Sequence, residues 1–329
     1  MDTTTDPPGA TSSWGNAEWP LHGNEVVTRE MLKSLRPRLD GPALIRLAVH
    51  AASIVLTGVL LWSARETVWM ILLMPVFGTL IALLFGPLHE CSHGTAFRTR
   101  WMNEMTGHMC GFLGNRPFLY FRYRHTAHHT FTQHPQLDPD RVPLSRSLLM
   151  YVLEMFGYKF WKMVVDYHWR GCQGKFDASD LSCIAPLQIP AVVREFRVVM
   201  AGYVLMFAAA YMLDPWAPLV LIIGPRITGE ILLRFLRMSE HTGTEDSPDL
   251  LRNTRTTKVS GILHYFYWEM PYHAEHHLAP SVPFHALKRL HAAVGDKVAH
   301  TGAGLFEVHM GLIRSIRKNT LAAGQTEKL

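Results

Sequence analysis

The chain has 329 residues, enough for one or two domains, of which 48% are hydrophobic and only 18% charged. Its net charge of +5 comes from Arg and Lys residues that flank apolar blocks, not from a basic stripe with interleaved aromatics, which excludes a nucleic-acid partner and favours a membrane. Four cysteines without CxxC spacing, Cys91, Cys110, Cys172 and Cys183, exclude a disulfide framework or a zinc ribbon.

Residues 1–42 are polar and rich in Thr, Pro and Gly, with no basic segment followed by an apolar one. They read as a mobile leader whose Trp14 and Trp19 suit the lipid interface. Residues 44–63 form a first spanning candidate, about 20 residues, enough to cross ~30 Å of hydrocarbon at 1.5 Å per residue. Residues 69–88 form the second, separated from the first by five residues, with Trp62 and Trp69 at the hairpin turn. His89 and His93 follow with no linker, on the membrane face opposite that turn. Lys33, Arg36, Arg38, Arg98 and Arg100 gather on the same side, which marks it as cytosolic.

From about residue 101 to 194 the pattern is amphipathic. Residues 148–169 carry apolar stripes interrupted by Glu154, Lys159, Lys162 and Asp166, and read as a helix lying on the membrane or packed on the site. Residues 198–213 are the third spanning candidate, and Asp214-Pro215 makes a turn. Residues 216–236 are the fourth, broken by Pro225, Arg226 and Glu230; Arg226 and Glu230, four apart, are spaced to pair. Topology supports that fourth crossing, because a single crossing would leave the second and third histidine clusters on opposite faces. The fold expected is an all-α integral membrane protein. It has four transmembrane helices in two hairpins, a cytosolic helical cap, one membrane domain over 43–314, and a basic polar tail over 315–329. Both termini are expected in the cytosol.

Three clusters carry the chemistry: His89-Glu90-Cys91-Ser92-His93, His125-Thr126-Ala127-His128-His129 and His273-Ala274-Glu275-His276-His277. Histidines at i, i+3 and i+4 share one helix face, so each triplet can aim at one centre. Many imidazoles favour Fe or Zn over Mg or Ca, and eight exceed what one ion accepts, which implies two ions. Paired-carboxylate di-iron bundles need two Glu-x-x-His motifs, and only Glu90 with His93 matches. His241, at the end of the fourth spanning candidate, is delivered to the same face and is taken as a ninth ligand. Glu90, Asp138, Asp140, Glu240 and Glu275 are placed in sequence to accept from the rear ring N–H groups. The isolated histidines, His22, His50, His108, His134, His168, His264, His285, His291, His300 and His309, are read as surface or interface residues. The first cluster also fits H-E-x-x-H, the pattern of a zinc protease with Glu90 as base, but that reading leaves the other two clusters without a role.

The order HECSH, HTAHH, HAEHH, with spans before the first and between the last two, resembles the three histidine boxes of the membrane fatty acid desaturase and hydroxylase superfamily. HAEHHLAPSVPFHALKRL, from His273 to Leu290, is the most specific part. The resemblance implies a non-haem di-iron centre on the cytosolic face of a bacterial inner membrane or endoplasmic reticulum. Its ligands would be His89, His93, His125, His128, His129, His273, His276 and His277, with His241 matching an extra ligand of some members. It further implies dioxygen as co-substrate, an external electron donor (ferredoxin, or a b-type cytochrome with its reductase), and a desaturase acting on a fatty acyl or similar aliphatic chain. A hydroxylase or ketolase, for example on carotenoids, is the alternative. Three residues between the first-box histidines, and Arg237 where stearoyl-type members carry Asn, depart from the stearoyl-type pattern.

Overall fold

The structure is a computed structural model and describes residues 19–326, with side chains through Leu321. Trp14 lies outside the described residues. Those residues are helical, with two isolated β-bridges and no strand among them. In chain order the helices are α1 (Arg29–Leu35), α2 (Asp40–Ser63), α3 (Met70–Ala82), α4 (Phe85–Ser92), α5 (Arg100–Leu113), α6 (Phe118–Thr130), α7 (Leu148–Met155) and α8 (Tyr158–Gln173). Then come α9 (Ala178–Cys183), α10 (Ile189–Leu213), α11 (Gly224–His241), α12 (Gly261–Phe266), α13 (His273–Leu278), α14 (Phe284–Val294) and α15 (Leu305–Thr326).

Three described segments are long and apolar enough to cross a membrane: α2, the α3–α4 stretch Met70–Ser92, and Pro186–Leu213, which includes α10. The third begins well before residue 198, where the apolar pattern alone started it. The chain from Pro218 to His241 is not among them by composition, because Arg226, Glu230, Arg234 and Arg237 interrupt it. It is nevertheless continuous, a π-helical stretch Pro218–Ile223 running into α11.

α11 lies against α3 with backbone touching backbone. A Cβ on Gly78 would fall 2.0 Å from the Pro225 carbonyl oxygen, and one on Gly229 would fall 2.0 Å from the backbone of Gly78. Only glycine permits so close an approach of two helix backbones. Gly229→Leu should therefore force α3 and α11 apart. Overpacking of this kind costs ~1–3 kcal/mol or more, and fluorescence-detected size exclusion should show loss of the monodisperse species. Gly41→Ala, at a position with open space around it, should leave the profile unchanged.

The expected Arg226–Glu230 pair does not form. Glu230 is instead held by Arg116 at 3.0 Å and Arg234 at 2.8 Å, while Arg226 donates to the Gly114 carbonyl oxygen. Position i+4 satisfied the helical spacing for both Arg226 and Arg234, and Arg116, in the turn between α5 and α6, supplied the extra partner across the fold. The amphipathic stretch is two helices, not one: α7 and α8 break at Gly157, whose φ of +79° suits glycine.

The described part of the leader does not stand apart from the rest. Val27 and Leu35 pack with Ala274, Leu278, Val282, Leu287 and Leu290 of the third-box region. Trp19 donates to the Thr132 carbonyl oxygen just beyond the second box. Nor is the tail unstructured through Thr326: α15 sets Val308, Leu312 and Ile316 against Tyr151, Met155 and Met238. Beneath the site, Phe85, Leu88, Phe97, Phe118, Leu233, Trp268 and Phe284 form one buried cluster that joins α4, α5, α6, α11 and α14.

Candidate metal centre

Four helices deliver the imidazoles. α4 carries His89 and leaves His93 as its C-terminal cap. α6 carries His125, His128 and His129, α11 ends on His241, and α13 carries His273, His276 and His277. α13 starts four residues after a sharp bend at Trp268 and Glu269, both with positive φ. Their side chains are fixed, Trp268 buried against Phe284 and Glu269 bound to Arg46.

All nine histidines meet, in two groups. His89, His93, His125, His129 and His276 form one, and His128, His241, His273 and His277 form the other. Within each group the nearest ring nitrogens lie within 4.8 Å of one another. Two facing pairs, His93–His125 and His125–His129, have Nε2 atoms 3.0 Å apart; His129–His276 is at 3.2 Å, His128–His241 at 3.2 Å and His241–His273 at 3.0 Å. Two nitrogens each ~2.1 Å from a common ion and at right angles to one another lie ~3.0 Å apart. The donor set and its spacing fit two ions, one per group. The sequence spacing foresaw that the three boxes converge; it did not foresee that the second and third boxes divide their histidines between the groups, His128 parting from His125 and His129, and His276 from His273 and His277, while His89 and His93 stay together.

Burial keeps His125, His129, His273, His276 and His277 well below the usual imidazole range, with mutual repulsion adding to it. They are therefore neutral, the form that binds metal. His128 moves the other way: burial opposes its charge, but the Asp138 carboxylate beside it wins and raises it.

Of the five carboxylates foreseen as rear acceptors, Asp138 fills that role, its Oδ1 2.8 Å from His128 Nδ1. Glu240 accepts from the Tyr267 hydroxyl at 2.8 Å and lies 3.7 Å from His273 Nε2, on the front of that ring. The other three face elsewhere. Glu90 accepts from Thr95 and from the Phe284 N–H, Asp140 pairs with Arg124 at 3.5 Å, and Glu275 binds Thr256 and His291. Neighbouring positions in sequence put these groups near the boxes, but the helix turn at Glu90 and Glu275 and the loop at Asp140 aim them away from the ligand ring nitrogens.

The structure adds partners with no sequence signal: the Asn253 carbonyl oxygen 3.2 Å from His241 Nδ1, and the Thr132 hydroxyl 3.2 Å from His277 Nδ1. The Nδ1 atoms of His89, His125, His129, His273 and His276 are buried with no hydrogen-bond partner among the described residues. None of the isolated histidines belongs to either group. Three are buried rather than superficial: His50 on the Leu80 carbonyl, His168 on the Val164 carbonyl, and His309 between Tyr151 and the Phe235 carbonyl.

Phe85 and Phe121 close one side of the centre. Phe121 stacks on His125 at 5.1 Å between ring centroids, and Phe85 lies 5.9 Å from His89. Such a site, shielded on this side by aromatic rings and built almost wholly of neutral imidazole, has the donor chemistry that suits first-row transition metals.

Residues 66–309 match the family model described as fatty acid desaturase, and the chain belongs to that family. It is 22% identical over 251 residues to an sn-1 oleoyl-lipid 12-desaturase of Picosynechococcus sp., covering 68% of this chain and 69% of the relative. It is 26% identical over 290 residues to an acyl-lipid (9-3)-desaturase of Physcomitrium patens, covering 80% of this chain and 54% of the relative. It is 26% identical over 244 residues to an sn-2 acyl-lipid omega-3 desaturase (ferredoxin) of Helianthus annuus, covering 66% of this chain and 53% of the relative. The chain thus spans from about half to about two thirds of the length of these relatives.

Proposed function

We propose that the protein is a membrane-bound, dioxygen-dependent oxidoreductase with two non-haem irons, which introduces a C=C bond into a fatty acyl or similar aliphatic chain. One observation carries this reading: nine imidazoles from four helices gather in two groups spaced for two ions. The names of the relatives, acyl-lipid desaturases, support it. H-E-x-x-H protease chemistry is disfavoured, since His89 and His93 share their group with the second and third boxes and Glu90 is bound to Thr95 and Phe284.

When bound, the irons supply the oxidising power for an unactivated C–H bond, which no side chain provides. The overall change removes one hydrogen from each of two adjacent carbons. Dioxygen becomes two waters, with two further electrons and two protons from outside. The donor is a ferredoxin or a b-type cytochrome with its reductase, the former in keeping with the name of the sunflower relative. The chain's own residues hold the rings. Asp138 fixes His128 through Nδ1, the Asn253 carbonyl does so for His241, and Phe85 and Phe121 exclude water from one side.

The Pro218–His241 rod is the fourth crossing in this reading. The support is that α10 ends at Leu213 and the rod brings His241 back among histidines of the other boxes. The membrane domain then covers 43–314, with the boxes and both termini cytosolic.

Mass spectrometry of products from the reconstituted enzyme tests the reaction. A loss of two hydrogens is expected, and a gain of one oxygen would make it a hydroxylase. Asp138→Asn should weaken iron binding by about 10–100-fold, the usual effect of removing the acceptor behind a ligating histidine, as read by competition with a chelator of known affinity.

A further inference from the structure

A cavity of about 260 Å³ lies on the far side of Phe85 and Phe121 from the histidines, between α4, α6, α8 and α11. Its size is near the lower end of ligand pockets, which run from about 300 to 1,000 Å³. Its lining combines the rings of Phe85, Phe121 and Phe160 with the guanidinium groups of Arg116, Arg234 and Arg237, Arg116 and Arg234 each lying 4.5 Å over Phe160.

The charges on this wall are not balanced. Arg116 and Arg234 share the single carboxylate of Glu230. Arg234 Nε is buried and has no acceptor among the described residues. Arg237 lies 4.5 Å over the Phe85 ring; its carboxylate neighbour, Glu240, is 3.8 Å away and already accepts from Tyr267. The other charges lining the cavity are committed elsewhere: Lys159 to Glu154, Arg141 to Asp246, Asp140 to Arg124. Cations in excess of carboxylates, one of them buried and the others largely so, and one with an unfilled buried N–H, are costly unless an anion enters. Guanidinium forks are the groups that hold carboxylate and phosphate oxygens best.

We propose that this cavity seats the oxyanion end of a short aliphatic substrate, held by Arg237 and Arg234, with its chain laid against Phe85 and Phe121, the two rings that must turn aside to admit it to the histidines. The assignment rests on the oxidative reading above for its direction, not for the anion site itself. One ring, Phe85, separates Arg237 from His89, with contacts of 4.5 and 5.9 Å on its two sides. The carbons oxidised therefore lie near the charged end of the molecule rather than deep along a long chain.

The oxyanion could be that of a free acid or of a phospholipid headgroup, and calorimetry separates them. The full chain, iron-loaded in phosphatidylcholine nanodiscs, is titrated with hexanoate and with hexanol. Hexanoate should bind at least tenfold more tightly, and Arg237→Gln and Arg234→Gln should each remove that preference while leaving hexanol unaffected. In phosphatidylglycerol nanodiscs at screening salt, unchanged hexanoate affinity supports the free acid, and weakened affinity supports the same site holding a lipid headgroup. Equal binding of hexanoate and hexanol, or full hexanoate affinity in Arg237→Gln, overturns the proposal. Arg237 shares no carboxylate with another arginine, so its variant carries the test if Arg234→Gln fails to fold. Binding needs no turnover. Hexanoate bound at this site without any oxidised product would count against the oxidative reading alone.

Discussion

Replacing His276 by Ala is expected to abolish product and strip iron in one step. His276 faces His129 at 3.2 Å and lies within 4.8 Å, centroid to centroid, of the rings of His89 and His93, so it touches three members of its group from the opposite side. Its removal leaves four imidazoles, but leaves nothing from the third box to close their group. Metal binding and the fold of this region are one equilibrium, so iron content should fall from about two per chain to about one or fewer. Product should fall by at least 100-fold. His22→Ala, an exposed position outside both groups, should change neither. The measurement is iron by plasma mass spectrometry beside product by gas chromatography on the same preparation. Full product from His276→Ala would remove the metal-site assignment.

The second large effect concerns stability. Glu230 is buried and is the carboxylate that Arg116 and Arg234 share. Glu230→Ala leaves two buried guanidinium groups without a counter-charge, a change that costs ~3–5 kcal/mol. Against the ~5–15 kcal/mol that holds a typical domain together, this is a large loss, and the melting temperature by scanning fluorimetry should drop sharply. Glu230→Met combined with Arg116→Met and Arg234→Met removes charge of both signs and should recover much of it. A Glu230→Ala protein that melts with the wild type would show that water already solvates these arginines.

The boxes were legible in the sequence because histidine spacing on a helix is a local matter: i, i+3 and i+4 share a face whatever surrounds them. The apolar spans were legible for the same reason. What was not legible depends on contacts between segments distant in sequence. Arg226 has the same helical spacing to Glu230 as Arg234 has, and only the arrival of Arg116 from the α5–α6 turn decides which pairs form. Glu90 and Glu275 sit inside boxes, yet face Phe284 and His291. The leader looked free because it is polar, but Val27 and Leu35 are enough to fasten its described part to the third-box helices. The Arg-lined cavity has no linear motif, since its walls come from four helices.

The central claim is that the two groups of imidazoles hold one iron each. Mössbauer spectroscopy of ⁵⁷Fe-loaded, full-length protein, with iron counted per chain, tests it most directly. Two irons per chain in nitrogen-rich, high-spin sites is the predicted result; a single iron, or a site that retains zinc and refuses iron, would contradict it.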